Sequence, residues 1–450
     1  MRKKDMYISY RKNVRRSGLT IAIYIVCVAL IAAGLGFGVY FGIKYFENRN
    51  NPVQVGEEET PPEQGPEAAS GAAVTAALTE EGVTQAGPFG MWYANSDDAE
   101  PDLSPFEPEV WMADFDDKRE RIDSKGIYVS PAFAERNMSK AIDLVDRTEL
   151  NTIVLDIKTD KGIITFDMDY DEAKAIGATT RVIADIDGLV KTCKEHGIYL
   201  IGRIVSLMDP KLAEERPELA LKTKSGTIFR DRSGAAWVNP YKKEVWDYLE
   251  QVAVKTAEAG FNEINFDYIR FSSEGGMKDV DFGEDVEEMS RIDVITAGIK
   301  RMCETLKPMG VFVSCDVYGA IISSQLDAKI VGQSYRQMAS YLDYICPMVY
   351  PSHYGDGYYN LDHPDLHPYE LVSGAMGDSK KVLSTMPTDE NKAQVRPWLQ
   401  DFTASWLRYH KEYGKNEVLD QKKAVYESGY TGWLLWNAAC DYSEGALTGD

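Results

Sequence analysis

From about Ser124 onward the chain alternates short apolar runs with longer amphipathic ones, eight times over. The short runs predict strands at Gly126–Ser130, Thr152–Lys158, Tyr199–Ser206, Glu263–Phe271, Val311–Val317, Tyr344–Tyr350, Lys381–Met386 and Gly432–Asn437. Helical patterns lie between them, among them 140–149, 185–196, 242–259, 287–306, 335–342 and 415–427. Strands joined by crossover helices pair in parallel, and eight such units close into a barrel of about 250 residues before insertions. The fold class is therefore α/β, with a (β/α)8 barrel over residues 121–450. An open doubly wound sheet would want a glycine-rich phosphate turn after the first strand. Ser130-Pro131-Ala132-Phe133 is not such a turn. The extra length falls after the second, third and sixth strands, at 159–180, 207–240 and 351–368. Those positions are βα loops, which build the reactive face of a barrel.

The first 120 residues have a different character. Residues 1–16 carry Arg2, Lys3, Lys4, Arg11, Lys12, Arg15 and Arg16 against Asp5 alone. An uncharged run from Ser17 to Ile43 follows, longer than the ~20 residues that cross a bilayer. It predicts a transmembrane helix over 17–43, with 1–16 as a cytoplasmic tail and everything after Lys44 outside. A signal cleaved near Ala32-Ala33-Gly34 is the alternative. Residues 47–120 hold eighteen acids against Arg49, Lys118 and Arg119, with four prolines early on, and read as an extended stalk. The end of this stretch (Phe89, Met91-Trp92-Tyr93, Val110-Trp111) has the apolar surface to pack on the following domain.

The whole chain has a net charge of −22. Lys44 joins the seven bases of the tail against Asp5, giving +7 for residues 1–46 and −22 − 7 = −29 for the rest. A surface that acidic argues against nucleic acid as a partner, because phosphates need Lys and Arg. Beyond the apolar run stand five cysteines, Cys193, Cys303, Cys315, Cys346 and Cys440, with no C-x-x-C pair. They read as small buried hydrophobes rather than a disulfide framework.

Acids recur at the predicted strand ends: Asp156 on the second, Asp267 on the fourth and Asp316 on the fifth. A carboxylate there is costly to bury unless it has a partner or a task. Glycoside hydrolysis needs two carboxyls across one sugar. Asp267 and Asp316 sit at matching depth on adjacent strands, about 4.8 Å apart. They are the candidate catalytic pair, with Asp156 as the reserve acid and Asp401 behind it. Arg203 and Arg270 are expected to hold the carboxylates through bidentate contacts. Arg203, Arg270, Trp237, Asn239, Tyr268, Tyr318, Tyr350 and Trp436 are the candidate substrate-binding residues, the aromatic faces among them suiting the C–H faces of sugar rings.

His363 and His367 have i, i+4 spacing, but Pro364 and Pro368 interrupt the helix that a metal pair would need. No metal and no cofactor is expected. Neither a G-x-S-x-G elbow nor a phosphate-binding P-loop is present in the sequence.

Seven runs together carry a resemblance: Gly126–Ser130, Ile153–Lys158, Gly202–Val205, Trp237–Pro240, Asn265–Phe271, Arg396–Phe402 and Gly432–Ala438. In combination they resemble a bacterial glycoside-hydrolase-like domain family with a (β/α)8 fold, distantly similar to α-amylase and α-galactosidase barrels. The resemblance implies a barrel acting on, or binding, a polysaccharide. It also implies an aspartate nucleophile after strand four, which matches Asp267. The α-amylase group places its acid after strand five, usually as glutamate. Asp316 stands there in this chain, with a shorter reach.

Three readings follow: a membrane-anchored extracytoplasmic glycosidase of envelope or extracellular polysaccharide, a non-catalytic sugar-binding or envelope-organising barrel, and a metal-dependent polysaccharide deacetylase using His363 and His367.

Overall fold

The computed structural model describes residues 115–273, 276–283, 289–387 and 391–448. The apolar run, the basic tail and the stalk up to residue 114 lie outside the described residues. Among the described residues no helix is long and apolar enough to cross a membrane.

Eight staves form a closed, wholly parallel barrel. They are β1 (Lys125–Val129), β2 (Thr152–Lys158), β3 (Tyr199–Val205), β4 (Glu263–Asp267), β5 (Phe312–Tyr318), β6 (Tyr344–Met348), β7 (Gln394–Val395 and Trp398–Gln400) and β8 (Trp433–Trp436). Each pairs with the next in sequence, and β8 closes on β1 through Lys125 opposite Trp433. Parallel strands covered by helices are buried on both faces and so read as continuous apolar runs. On β2 all seven residues are buried. Ile153, Leu155 and Ile157 face the helical layer, while Val154 belongs to the cluster that fills the barrel interior with Ile201, Tyr344, Trp398 and Leu434.

The helices begin where the sequence caps them. Ser130 accepts from the Phe133 amide ahead of Pro131–Asp146, and Ser290 and Asp293 form a capping box before Arg291–Leu306. Lys243–Glu258 lies directly on β3. A Cβ at Gly202 would stand 2.7 Å from Thr256 Cγ2, so only glycine admits the helix beside Arg203.

One predicted strand is wrong. Lys381–Met386 is not a strand; its first four residues end the helix Pro368–Ser384. The buried residues Leu371, Val372, Ala375, Met376, Ser379, Val382 and Leu383 follow a helical period that the short apolar run concealed. The seventh stave comes later and is split. Gln394–Val395 pairs with β6, Trp398–Gln400 pairs with β8, and Trp398 also pairs with Met348. Pro397, which has no N–H to give a ladder, sits in the break. The predicted fourth strand also ends early, at Asp267, because Tyr268 turns into the left-handed region with φ 49°.

The packed unit begins before residue 121. Arg119 donates to the Val311 carbonyl oxygen, pairs with buried Asp343 at 3.0 Å and lies over the Phe312 ring, all at the strand N-terminal end. Deeper in, Arg396 pairs with Glu263, 1% and 0% exposed, and Ser314 donates to the same carboxylate. This ion pair closes the floor of the barrel. The long βα loops lie at the other end, where Lys222–Thr223 and Val280–Asp281 form a small antiparallel ribbon between the loops after β3 and β4.

Candidate active site

Side chains on one face of a strand recur every second residue. On β4 this face carries Glu263, Asn265 and Asp267; on β5 it carries Ser314, Asp316 and Tyr318. These inward faces are thus polar from the floor to the loop end, and the layer at the loop end is built around Arg203 of β3.

Three acids converge on that guanidinium. Nη1 donates to Asp156 Oδ1 at 2.5 Å. Nε donates to Asp267 Oδ2 at 3.1 Å, and Nη2 donates to the same oxygen. Asp316 Oδ2 lies 3.8 Å from Nε. Asp156, Asp267 and Asp316 are 6%, 4% and 2% exposed, and Arg203 is 5%. Laid end to end, 3.1 Å plus 3.8 Å caps the separation of the Asp267 and Asp316 Oδ2 atoms at 6.9 Å.

Each acid has a second support. Tyr128, at the end of β1, donates to Asp156 Oδ2 at 2.8 Å. The Tyr268 amide donates to Asp267 Oδ1 at 2.6 Å. Asn265 Nδ2 at 2.9 Å and Trp398 Nε1 at 2.7 Å both donate to Asp316 Oδ1. One cation cannot neutralise three buried carboxylates, so full ionisation of the cluster is disfavoured. Burial, with the charge of Asp267, pushes Asp316 up to about 8, against the pull of Arg203, Asn265 and Trp398. Burial raises Asp156 as well, opposed by Arg203 and Tyr128. Burial disfavours the Arg203 charge, but the surrounding acids overcome this and hold its pKa well above the ordinary value.

The other expected residues divide into groups. Trp436 stands at the cluster, 4.2 Å from the Tyr128 ring and 5.3 Å from the Arg203 guanidinium. Tyr350 is there too; burial and then the charges of Asp316 and Asp267 push its phenol well above the usual range. Trp237, Tyr268 and Tyr318 gather around Arg270 instead. The expectation that Arg270 orients the carboxylates is overturned: its polar contact is the Phe271 carbonyl oxygen at 3.1 Å. The cause is the turn at Tyr268, which takes the chain off the strand axis before Arg270 is reached. Asn239 stands apart, with both ends of its amide engaged by the Phe282 carbonyl oxygen and the Tyr241 amide. Asp401 holds Ser443 of the C-terminal loop.

Tyr128, Asn265 and Trp398 were not among the expected site residues. Asn265 was legible, since it stands two residues before Asp267 on the same face. Tyr128 was legible as the inward residue at the end of β1. Trp398 depended on the seventh stave, which the sequence pattern misplaced.

His363 and His367 flank a short turn, Pro364–Leu366, not a helix. His363 bonds Asp356 at 3.1 Å and stacks on Tyr409. Among the described residues no group of three or more His, Cys, Asp and Glu side chains is placed to hold a metal ion. The five cysteines are all buried and free.

No curated protein matches the chain significantly. Among solved structures, a hypothetical protein from Ruminiclostridium thermocellum ATCC 27405 is 33% identical over 42% of this chain and 97% of its own, with a TM-score of 0.40. The PgaB (BpsB) glycoside hydrolase domain from Bordetella bronchiseptica is 10% identical over 73% of this chain and 100% of its own, with a TM-score of 0.53. The α-galactosidase TtGalA from Thermus thermophilus is 12% identical over 72% and 59%, with a TM-score of 0.42. The Bordetella likeness supports the barrel fold. Residues 126–442 match the model of the family described as "Putative glycosyl hydrolase domain", and the chain belongs to that family.

Proposed function

We propose that the barrel is a retaining glycoside hydrolase, with Asp267 as nucleophile and Asp316 as acid and base. The observation that carries this reading is the pair of buried carboxyls at one guanidinium, where burial and the charge of Asp267 raise the pKa of Asp316. Trp398 and Asn265 occupy Asp316 Oδ1, so the proton belongs on Oδ2, the oxygen nearer Arg203. In the first step that proton passes to the glycosidic oxygen as its bond to the anomeric carbon breaks. An Asp267 oxygen bonds to that carbon. In the second step Asp316 takes a proton from water, the water oxygen displaces Asp267, and the free carboxylate returns. The 6.9 Å cap accommodates the about 5–5.5 Å of retaining pairs and leaves little of the about 6.5–9.5 Å range of inverting ones. Arg203 orients Asp267 and steadies its charge, and Trp436 and Tyr350 offer faces to the sugar.

The proposed substrate is a cell-envelope or extracellular polysaccharide. The basic tail and apolar run of the sequence support a single-pass anchor with the barrel outside the cell. A non-catalytic sugar-binding barrel is the second reading, and the occupation of both Asp267 oxygens by donors favours it. Turnover of a panel of envelope polysaccharides by the full chain, against Asp267→Asn and Asp316→Asn, separates the two. Unchanged turnover in both variants would remove Asp267 and Asp316 from the proposed roles, and binding without turnover in the wild type would establish the second reading.

A further inference from the structure

The other buried cations described above have carboxylates beside them: Arg203 has three, and Arg396 has Glu263. Arg270 differs. It is 6% exposed and no carboxylate pairs with it among the described residues; its Nε, like that of Arg396, has no hydrogen-bond partner. Three aromatic rings surround its guanidinium carbon instead, Tyr318 at 4.2 Å, Tyr268 at 4.8 Å and Trp237 at 5.3 Å. The negative faces of the rings offset part of the cost of holding the charge out of water. Nη1 donates to the Phe271 carbonyl oxygen, but the rings offer Nε no acceptor and the charge no counter-ion, and a buried cation left so is costly unless a ligand completes it.

The box stands beside the acids. Tyr268 follows Asp267 directly, and its phenol lies within the fields of both Arg270 and Arg203. Tyr318 is two residues beyond Asp316 on the same strand face. Trp237 comes from the long loop after β3, where its indole N–H is fixed on Asp231 at 2.9 Å. The Tyr268 backbone is left-handed, φ 49°, a conformation costly for a bulky residue and typical of sites where geometry is imposed.

We infer that this box receives an anionic substituent, carboxylate or phosphate, on a sugar bound beside the acid cluster. The inference rests on the glycan-binding part of the function proposed above. A guanidinium is the group suited to planar carboxylate and to phosphate, through paired N–H donors. The chain beyond residue 46 has a net charge of −22 − 7 = −29, so it repels a polyanion at long range. A single enclosed cation within such a surface selects one charged substituent, not a charged tract.

The test is equilibrium binding by calorimetry, using the full-length chain with Asp267→Asn to prevent turnover. One arm compares hyaluronan tetrasaccharide with chitotetraose; the other compares glucose 6-phosphate with glucose. In at least one arm the anionic probe binds tighter by about tenfold or more, and that arm distinguishes carboxylate from phosphate. The preference disappears in Arg270→Gln and is reduced in Arg270→Lys. Should Arg270→Gln lack a cooperative thermal transition, Arg270→Lys decides alone. Equal affinity in both arms, or a preference untouched in the variants, overturns the subsite. An anion preference in a wild-type chain that turns over no glycan would retain the subsite and remove the hydrolase. Turnover without the preference would do the reverse.

Discussion

Trp398 Nε1 donates to Asp316 Oδ1 at 2.7 Å, so the split seventh stave supplies a partner to the acid on the fifth. The bond stabilises the ionised form of Asp316. Replacing Trp398 by Phe removes it, and the Asp316 pKa rises further. The alkaline limb of the pH–rate profile is expected to move to higher pH. A limb that stays in place, measured on any glycan the wild type cleaves, would separate Asp316 from the acid role.

Asp316 also links stability to pH. Its folded pKa of about 8 is raised above the ordinary 3.8 by burial and the Asp267 charge. A raised acid binds its proton more tightly in the folded state, so its contribution is complete below the unfolded pKa and is lost as pH rises through the folded one. The urea midpoint of the wild type is therefore expected to fall between pH 4 and 8 more steeply than that of Asp316→Asn. Parallel profiles would refute the assignment.

Asp267→Asn is expected to lower kcat by roughly a thousandfold or more, the scale of losing a group that acts only in the transition state. The far-ultraviolet spectrum should be unchanged, because the amide keeps the shape of the group. Initial rates on a susceptible polysaccharide check this.

Arg203→Met leaves three acids without their shared cation. Breaking a buried pair by removing one partner costs about 3–5 kcal/mol. The loss should be largest at alkaline pH, where more of the acids would have to ionise, and smaller near pH 4. Chemical denaturation at the two pH values measures the difference. Equal losses at both would mean that the acids are not the source of the cost.

Most of the barrel could be read from the chain, because a parallel strand buried on both sides leaves an apolar run that little else imitates. Asp156, Asp267, Asp316 and Arg203 could be read for the related reason that charged residues interrupt those runs near their ends. The seventh stave could not. Val382 and Leu383 look apolar and strand-like in a short window, and only the preceding residues of the helix Pro368–Ser384 reveal their period. The true stave has two short pieces around Pro397, each below the length at which alternation is visible. Arg270 does not reach the carboxylates because strand periodicity does not continue past Asp267, where a single left-handed residue ends it.

The Glu263–Arg396 pair at the floor has a kinetic consequence. Because that end is closed by a buried ion pair, a ligand of the acid cluster can approach it only from the loop end. In the proposed hydrolysis, sugar, departing fragment and attacking water would all pass that one end, and the first fragment would leave before the solvent that finishes the reaction enters. Turnover would then be paced by clearance of that end, and an accumulating fragment would slow the catalyst by standing in the path of water.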